Sequence, residues 1–444
     1  MSLKGNSSKV LSIIFSQETF CFYIISCMVL IPLSEFISEL MGSQLAAEQN
    51  VCAIYGMIGV FLCTGKMALN PTGRHWSDFF YLTLHAFMFI SLIFSCDIAR
   101  ILRPNVTSNE YPAFFLCYYA MLFAGFQVAK NSLRKLVLYV FIGLSLFEGI
   151  ISALQTVEIK IMPSLWNETT KEVYGLTQNT NLYGALSVLF VGACGWMFIF
   201  SSNKIIKVIA GILTVLAVYC SYMTMARLAW VGDAVVVVTY VVSILIMMKR
   251  NKGDKKYKSY LISCLIWIGL GVVGVAISFL TNNLTQQHIE HAGYEIEKAE
   301  EGNIDRLGSG RGAIWSFCIE ALPRHWVTGV GLDNLKQCYI ENPKWVPGMY
   351  YSNQAHNCYL QVLTTQGVFA FINYMALLII STVKAVKRVL VNDDEEDRKI
   401  TWAYLAMFAG FSAAMFFLFR SFTVEPYYCA VIGLMNPRVH KKDN

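Results

Sequence analysis

Charge is what this sequence has least of: Asp, Glu, Lys and Arg make up 14% of its 444 residues. A soluble protein of this size keeps roughly a quarter of its residues charged. Lipid penalises charge wherever it touches the chain, so the deficit is what residence in a membrane requires. Other features are also missing. The 13 cysteines include no CxxC pair, and no zinc-ligand spacing is legible, which removes a zinc module. No internal repeat is detectable. No basic stretch interleaves with aromatics as a nucleic-acid groove would, so no nucleic-acid partner is expected. The cysteines are scattered, mostly through apolar runs, and read as small packing residues. Cys318 and Cys338 share one polar segment; whether they pair is left open, because a shared loop does not set disulfide geometry.

What is abundant is apolar: 56% of residues are hydrophobic and the mean hydropathy is +0.50. They fall in runs long enough to cross a bilayer, about 20 residues for a core of roughly 30 Å. Spans are read near residues 20–39, 51–69, 79–98, 112–129, 135–156, 182–202, 204–222, 224–248, 257–280, 357–384, 400–420 and 421–435. The fold class is therefore all-α, a polytopic transmembrane helical bundle of about twelve spans. The first run contains Pro32 and Glu35 and lacks a small-residue cleavage site, so it reads as a retained span and not as a signal peptide.

Lys and Arg remain cytoplasmic more readily than they cross. With the N-terminus inside, the cytoplasmic side receives Lys130, Arg134 and Lys135, then Lys249 to Lys258, Lys384 to Arg388 and the tail from Arg438. That side then holds about 23 of the 35 basic residues, as the positive-inside rule asks. Both termini are expected to be cytoplasmic. The net charge of +6 is thus a topology signal.

Two outer segments interrupt the alternation of span and turn, at 157–181 and 281–356. The second is about 75 residues long and polar, and loops of that length are usually functional or disordered. Its first part, to Arg306, is acidic and reads as a mobile helix or lid. Ser309-Gly310-Arg311-Gly312 then looks like a helix start with Ser309 as N-cap. The following stretch carries Ile314, Trp315, Phe317, Cys318 and Leu322 before Pro323 stops it. That apolar face suits a short helix at the membrane interface. Trp315, Trp326 and Trp345 read as belt residues more readily than as sugar platforms.

Several charges stand on the outer side against the general bias: Arg227 at a span end, Arg311 at the loop helix, Arg420 with Glu425 in the last turn, and His356 at the mouth of the next span. Arginine presents a planar fork that matches phosphate oxygens, and a helix N-terminus adds free amides and a positive dipole end. Histidine can hold or accept a proton near neutrality. Each has a plainer reading as well. An arginine at a span end is usually a snorkelling anchor, Arg420 and Glu425 can simply pair, and an interfacial histidine is more often a satisfied polar residue. Asp233, deeper in the Arg227 span, is either structural or lines a cavity.

The order of motifs carries more than any one of them. Ser309-Gly310-Arg311, then Gly329-Val330-Gly331, then His356-Asn357-Cys358-Tyr359-Leu360-Gln361 entering a span before Gly367, resembles the O-antigen ligase and polymerase superfamily. Gly175 to Asn181 is similar to that family's Gly-x-x-x-Asn-x-Asn approach to a span. Around Arg227 the match departs: the family commonly shows Ser-Arg and a small residue, and here the residues are Ala226-Arg227-Leu228. The resemblance divides the chain into N-terminal spans (1–180), a ligase-like region (181–384) with the outer loop, and C-terminal spans with a tail (385–444).

The resemblance implies a bacterial enzyme of the cytoplasmic (inner) membrane, working on its outer face. Its donor would be a glycan on undecaprenyl pyrophosphate. Its acceptor would be a hydroxyl of lipid A core, of another glycan or of a protein. It further implies His356, Arg311 and Arg227 as catalytic residues, with Asn357, Asn181 and Arg420 as substrate-binding ones. No cofactor and no metal are expected, and no Asp-x-Asp nucleotide-sugar motif is present. The competing reading is a polysaccharide or lipid-carrier transporter or flippase. Such proteins often show related halves and broken helices near the midplane, and no half-repeat is visible here.

Overall fold

The computed structural model describes residues 10–41, 47–69, 75–102, 108–157, 159, 173–177, 179–281, 307–346 and 351–438, with isolated positions between 286 and 297. The expected lid before Arg306 lies, apart from those positions, outside the described residues. The chain is an all-α helical bundle, and no strand occurs among the described residues.

The helices are α1 (Gln17–Leu40), α2 (Ala47–Leu69), α3 (Trp76–Ile93), α4 (Ile98–Leu102), α5 (Pro112–Gln127), α6 (Asn131–Thr156), α7 (Thr180–Phe200), α8 (Lys204–Met223), α9 (Arg227–Arg250), α10 (Lys255–Thr281), α11 (Leu307–His325), α12 (Lys336–Ile340), α13 (Cys358–Val391), α14 (Glu395–Ala414) and α15 (Glu425–Leu434). Each of the twelve apolar runs is helical. Among the described residues, ten helices are long and apolar enough to cross a membrane. The other two, α5 with 16 residues and α15 with 10, are shorter. They pack face to face on glycine: a Cβ on Gly125 would lie 2.8 Å from Gly433 Cα, and one on Gly433 would lie 2.4 Å from Leu122 O. Such close backbone approach is how small residues hold membrane helices together.

Burial sorts the helices into layers. The apolar window of α7 is 100% buried, whereas those of α2 and α10 are 28% buried. α7 is therefore the hub, touching α8, α9, α10, α6 and α14. The outer helices turn apolar side chains such as Phe22, Ile205 and Val272 outward, which in a membrane face lipid tails.

At the end of the bundle where α13 finishes and α14 begins, the acidic run 393–397 forms a clasp. Asp397 takes Arg134 Nη1 at 2.5 Å and Arg388 Nη2 at 2.6 Å, and Asn392 donates to it at 2.6 Å. Arg134 is fully buried and also donates to Thr401 Oγ1 and Leu434 O. Arg250 reaches Asp393 and Lys256 reaches Glu395 at the rim. Arg438 is not part of a free tail; it is buried and ion-paired with Asp78.

Candidate functional site

The opposite end gathers the starts of α7, α9, α11 and α13. Asn179 caps α7, accepting from the amides of Asn181 and Leu182. The turn before it is held by α6. Gln155 Oε1 accepts from the amides of Tyr174 and Gly175, its Nε2 donates to Gly175 O, and Glu148 Oε2 accepts from the Leu176 amide at 3.0 Å. Gly175 has φ +56°, and a Cβ there would sit 2.6 Å from Glu148 Oε2, so this position calls for glycine. The Val173 amide donates to Met223 O at 3.3 Å, tying the same turn to the approach to α9. Arg227 is the first residue of α9. A Cβ on Gly184 would lie 2.9 Å from Ala226 Cβ, so Asn181 and Arg227 stand at the ends of touching helices.

The outer loop is a small folded unit. Cys318, Ala321, Val330, Leu335, Cys338, Tyr339 and Ala355 form its own core, with Ile314, Phe317, Trp345 and Tyr351 against it. The apolar face of α11 therefore packs into the loop, where the sequence had pointed to the membrane interface. Trp326 is exposed, while Trp315 is a structural donor, its Nε1 reaching Ala355 O at 2.8 Å. Cys318 and Cys338 are free buried thiols in contact with each other. Ser309 is not an N-cap: α11 begins at Leu307 and includes Pro323 in its last turn. Gly310, at φ +84°, offsets that first turn, so Arg311 opens the regular part of the helix.

Arg311 Nη2 lies 3.4 Å from Asn181 Oδ1, joining the loop to α7. Its charge also acts on His356. Burial, with Arg311 adding to it, holds the His356 imidazole down at about 4, so the ring is neutral near pH 7. Nδ1 is enclosed and has no hydrogen-bond partner among the described residues, and the ring stands edge-on to Phe419 with centroids 5.3 Å apart. His356 has φ +48°, a left-handed conformation that non-glycine residues keep only where the surroundings enforce it. Asn357 caps α13, its Oδ1 accepting from the Leu360 amide at 3.0 Å.

Ten residues further, at Gly367, α13 breaks. Gly367 has φ +84° and ψ 175°, and the freed backbone groups are taken up by the loop. Val330 and Gly331 amides donate to Thr364 O and Thr365 O at 2.9 and 3.0 Å, and the Val368 amide donates to Trp326 O at 2.7 Å. This backbone seam accounts for Gly329, Gly331 and Gly367 together. A Cβ on Gly367 would lie 2.1 Å from Val327 O, and one on Gly329 2.2 Å from the Thr365 carbonyl carbon.

Arg420 does not sit at the surface as a ligand would. It is 2% exposed, 3.7 Å from Glu425, with its guanidinium over the Tyr374 ring at 4.7 Å and the Phe115 ring at 5.4 Å. That is the placement of an internal counter-charge beneath the start of α13. Asp233 accepts from Ser221 Oγ at 2.9 Å and lines an apolar cleft of about 180 Å³ with Tyr222, Trp230, Trp267 and Val272. The cleft opens one turn from Arg227, on the face that carries Trp230 and Ala234.

Two residues absent from the sequence-based set are Glu110 and Gln361. Both are fully buried, and Gln361 Nε2 donates to Glu110 Oε2 at 2.8 Å. Burial pushes the Glu110 carboxyl up to about 7. The sequence signal of Glu110 is a polar residue beside an apolar run, whereas Gln361 closes the motif that begins at His356. Among the described residues one group could hold a metal, Cys96, His325 and Glu341, whose ligand atoms lie within 4.8 Å of one another. Glu341 there is already engaged by Arg324, His325 and Gln337 at 3.1, 2.8 and 2.8 Å.

Residues 212–375 match the family model described as O-antigen ligase. The matched segment includes Arg227, Arg311, His356 and Asn357 and leaves Asn181 and Arg420 outside. No curated relative matches the chain.

Proposed function

We propose that this multi-pass bacterial membrane protein, which belongs to the O-antigen ligase superfamily, transfers a glycan from undecaprenyl pyrophosphate to an acceptor hydroxyl. The reaction would take place on the outer face of the cytoplasmic membrane, with both termini inside. The observation that carries the reading is the position of Arg311, between Asn181 at the start of α7 and His356 at the start of α13. Four helix starts gather at this end, and Arg227 and Arg311 lie at two of them, a setting that favours a diphosphate. The apolar cleft below Arg227 is suited to the lipid end of the same donor.

In the proposed step the acceptor oxygen attacks the anomeric carbon and its proton passes to His356. The bond from that carbon to the diphosphate oxygen breaks, its electron pair leaving with the carrier, so the configuration inverts. Arg311 and Arg227 stabilise the charge that builds on the leaving group. Asn181 orients Arg311, and Asn357 fixes the backbone that presents His356. An imidazole held near 4 by burial, with the Arg311 charge adding to it, is a weak base. A bound diphosphate offsets that charge and raises the basicity of His356 when the donor is in place. The two arginines fill the role a divalent ion would otherwise serve, so transfer is expected to survive chelation.

The test is glycan transfer in membranes containing Arg311→Ala and His356→Ala, after expression and insertion are verified. Loss of transfer with accumulation of carrier-linked donor supports the reading. Unchanged transfer and polymer length in both variants overturns it and makes carrier transport the reading to pursue.

A further inference from the structure

We propose that Glu110, Gln361 and Trp315 form a positioning device that holds the backbone of Ala355 from both sides and so sets the orientation of His356. The inference rests on the reading of His356 as the proton acceptor, and it concerns residues outside that set.

Ala355 is clamped at both of its peptide groups. Its amide donates to Gln361 Oε1 at 2.6 Å and its carbonyl accepts from Trp315 Nε1 at 2.8 Å. The next residue is His356, whose φ of +48° is costly for a side chain that is not glycine. No cap or turn chemistry of histidine itself favours that conformation, so neighbours must impose it. The acceptor and the donor come from different elements, Gln361 from the first turn of α13 and Trp315 from α11.

The direction of each bond follows from the one before. Gln361 Oε1 is occupied as an acceptor by Ala355, so Nε2 is the end that faces Glu110, and Glu110 Oε2 accepts there at 2.8 Å. The same oxygen accepts from the Asp333 amide at 3.2 Å. The other oxygen, Oε1, faces Thr365 Oγ1 at 3.4 Å. The single hydroxyl proton of Thr365 has a shorter partner, Gln361 O at 2.8 Å. Contact between Thr365 and Glu110 is therefore satisfied when the carboxyl carries the proton. A neutral acid at this place accepts from two donors and donates to one acceptor, which closes the network without leaving a charge inside it. The elevation of Glu110 to about 7 by burial agrees with that state.

A positioning role and a merely structural one separate on isosteric substitution. Glu110→Gln keeps an acceptor toward Gln361 and Asp333 and a donor toward Thr365, so kcat should stay within about twofold of wild type. Trp315→Phe removes the bond to the Ala355 carbonyl, Gln361→Leu the bonds to Ala355 and Glu110, and Glu110→Ala the bonds that hold Gln361 from behind. They should lower kcat on the order of ten- to a hundredfold, as small misplacements of a reacting group do. The KM for donor and the thermal midpoint should change little. Steady-state transfer in detergent or nanodiscs, with melting curves on each variant, reads all of this. Loss in Glu110→Gln equal to that in Glu110→Ala would overturn the neutral-acid network. Activity within twofold of wild type in Gln361→Leu and Trp315→Phe, with His356→Ala inactive, sinks the positioning proposal alone. Wild-type activity in His356→Ala removes the reading beneath it, and a parallel fall in kcat and thermal midpoint assigns the clamp to stability instead.

Discussion

Arg311 and Asn181, 130 positions apart in the chain, meet at 3.4 Å between a guanidinium nitrogen and an amide oxygen. One belongs to the outer loop and the other to the most enclosed helix of the bundle. The contact makes Arg311 a fixed fork and not a swinging tether. Arg311→Ala is expected to lower kcat about a hundred- to a thousandfold, the usual cost of removing a preorganised donor to a leaving group. Arg311→Lys should recover only part of this, because an ammonium keeps the charge and loses the planar geometry. Transfer rates with a defined carrier-linked donor test both.

A second expectation concerns pH. His356 accepts a proton only when neutral, and in the free enzyme it is neutral above about pH 4. Activity is therefore present above that pH and lost as pH falls through it in the profile of kcat/KM, which reports the free enzyme. Donor binding screens Arg311 and raises the imidazole, so the corresponding limb in kcat should lie at higher pH. Coincident limbs would mean that the diphosphate does not come between the two residues.

Gly367 offers a third test. Alanine there meets Val327 O and requires a left-handed backbone, which together should cost more than about 2 kcal/mol. Because the seam joins loop to helix, the expected signature is faster proteolysis within 307–346 along with loss of transfer. Normal protease resistance in Gly367→Ala would show that the break is not needed for docking the loop.

The far end of the bundle yields a stability prediction. Asp397→Ala leaves the fully buried Arg134 without its carboxylate, and an orphaned buried charge typically costs about 3–5 kcal/mol. The melting temperature should fall sharply, and replacing Arg134 with Met in the same chain should recover much of it. Transfer per folded molecule is expected to hold, since the clasp lies away from the helix starts that carry the site.

Much of the architecture was legible because apolar runs bounded by Lys and Arg declare helices without help from tertiary contacts. All twelve runs are helices for that reason, and the shortness of α5 and α15 was the detail that run length concealed. Of the site, Arg311, Asn181 and His356 could be singled out as charged or polar groups on an apolar background, and the structure brings them together. For Arg420 the sequence offers the pair with Glu425 but not its enclosure by Tyr374 and Phe115. Ser309 was misread because the positive φ at Gly310 permits an extra turn ahead of Arg311. Trp315 illustrates the general limit. An interfacial tryptophan and one that donates to a backbone carbonyl 40 residues away have the same sequence neighbourhood, and only the fold tells them apart. Glu110, 251 positions from its partner Gln361, left even less trace.

The seam at Gly367 also redraws the boundary of the outer loop. By backbone hydrogen bonding, α13 is tied to residues 326–331 on both sides of Gly367, while Cys358, Tyr359 and Val362 of its first turns pack in the core of the bundle. Asn181 and Arg227 are rooted in the bundle and Arg311 in the loop, and His356 stands at the joint, edge-on to Phe419 and next to the peptide that Trp315 holds. The start of α13 is thus shared by loop and bundle, a hinge pin seated in both leaves.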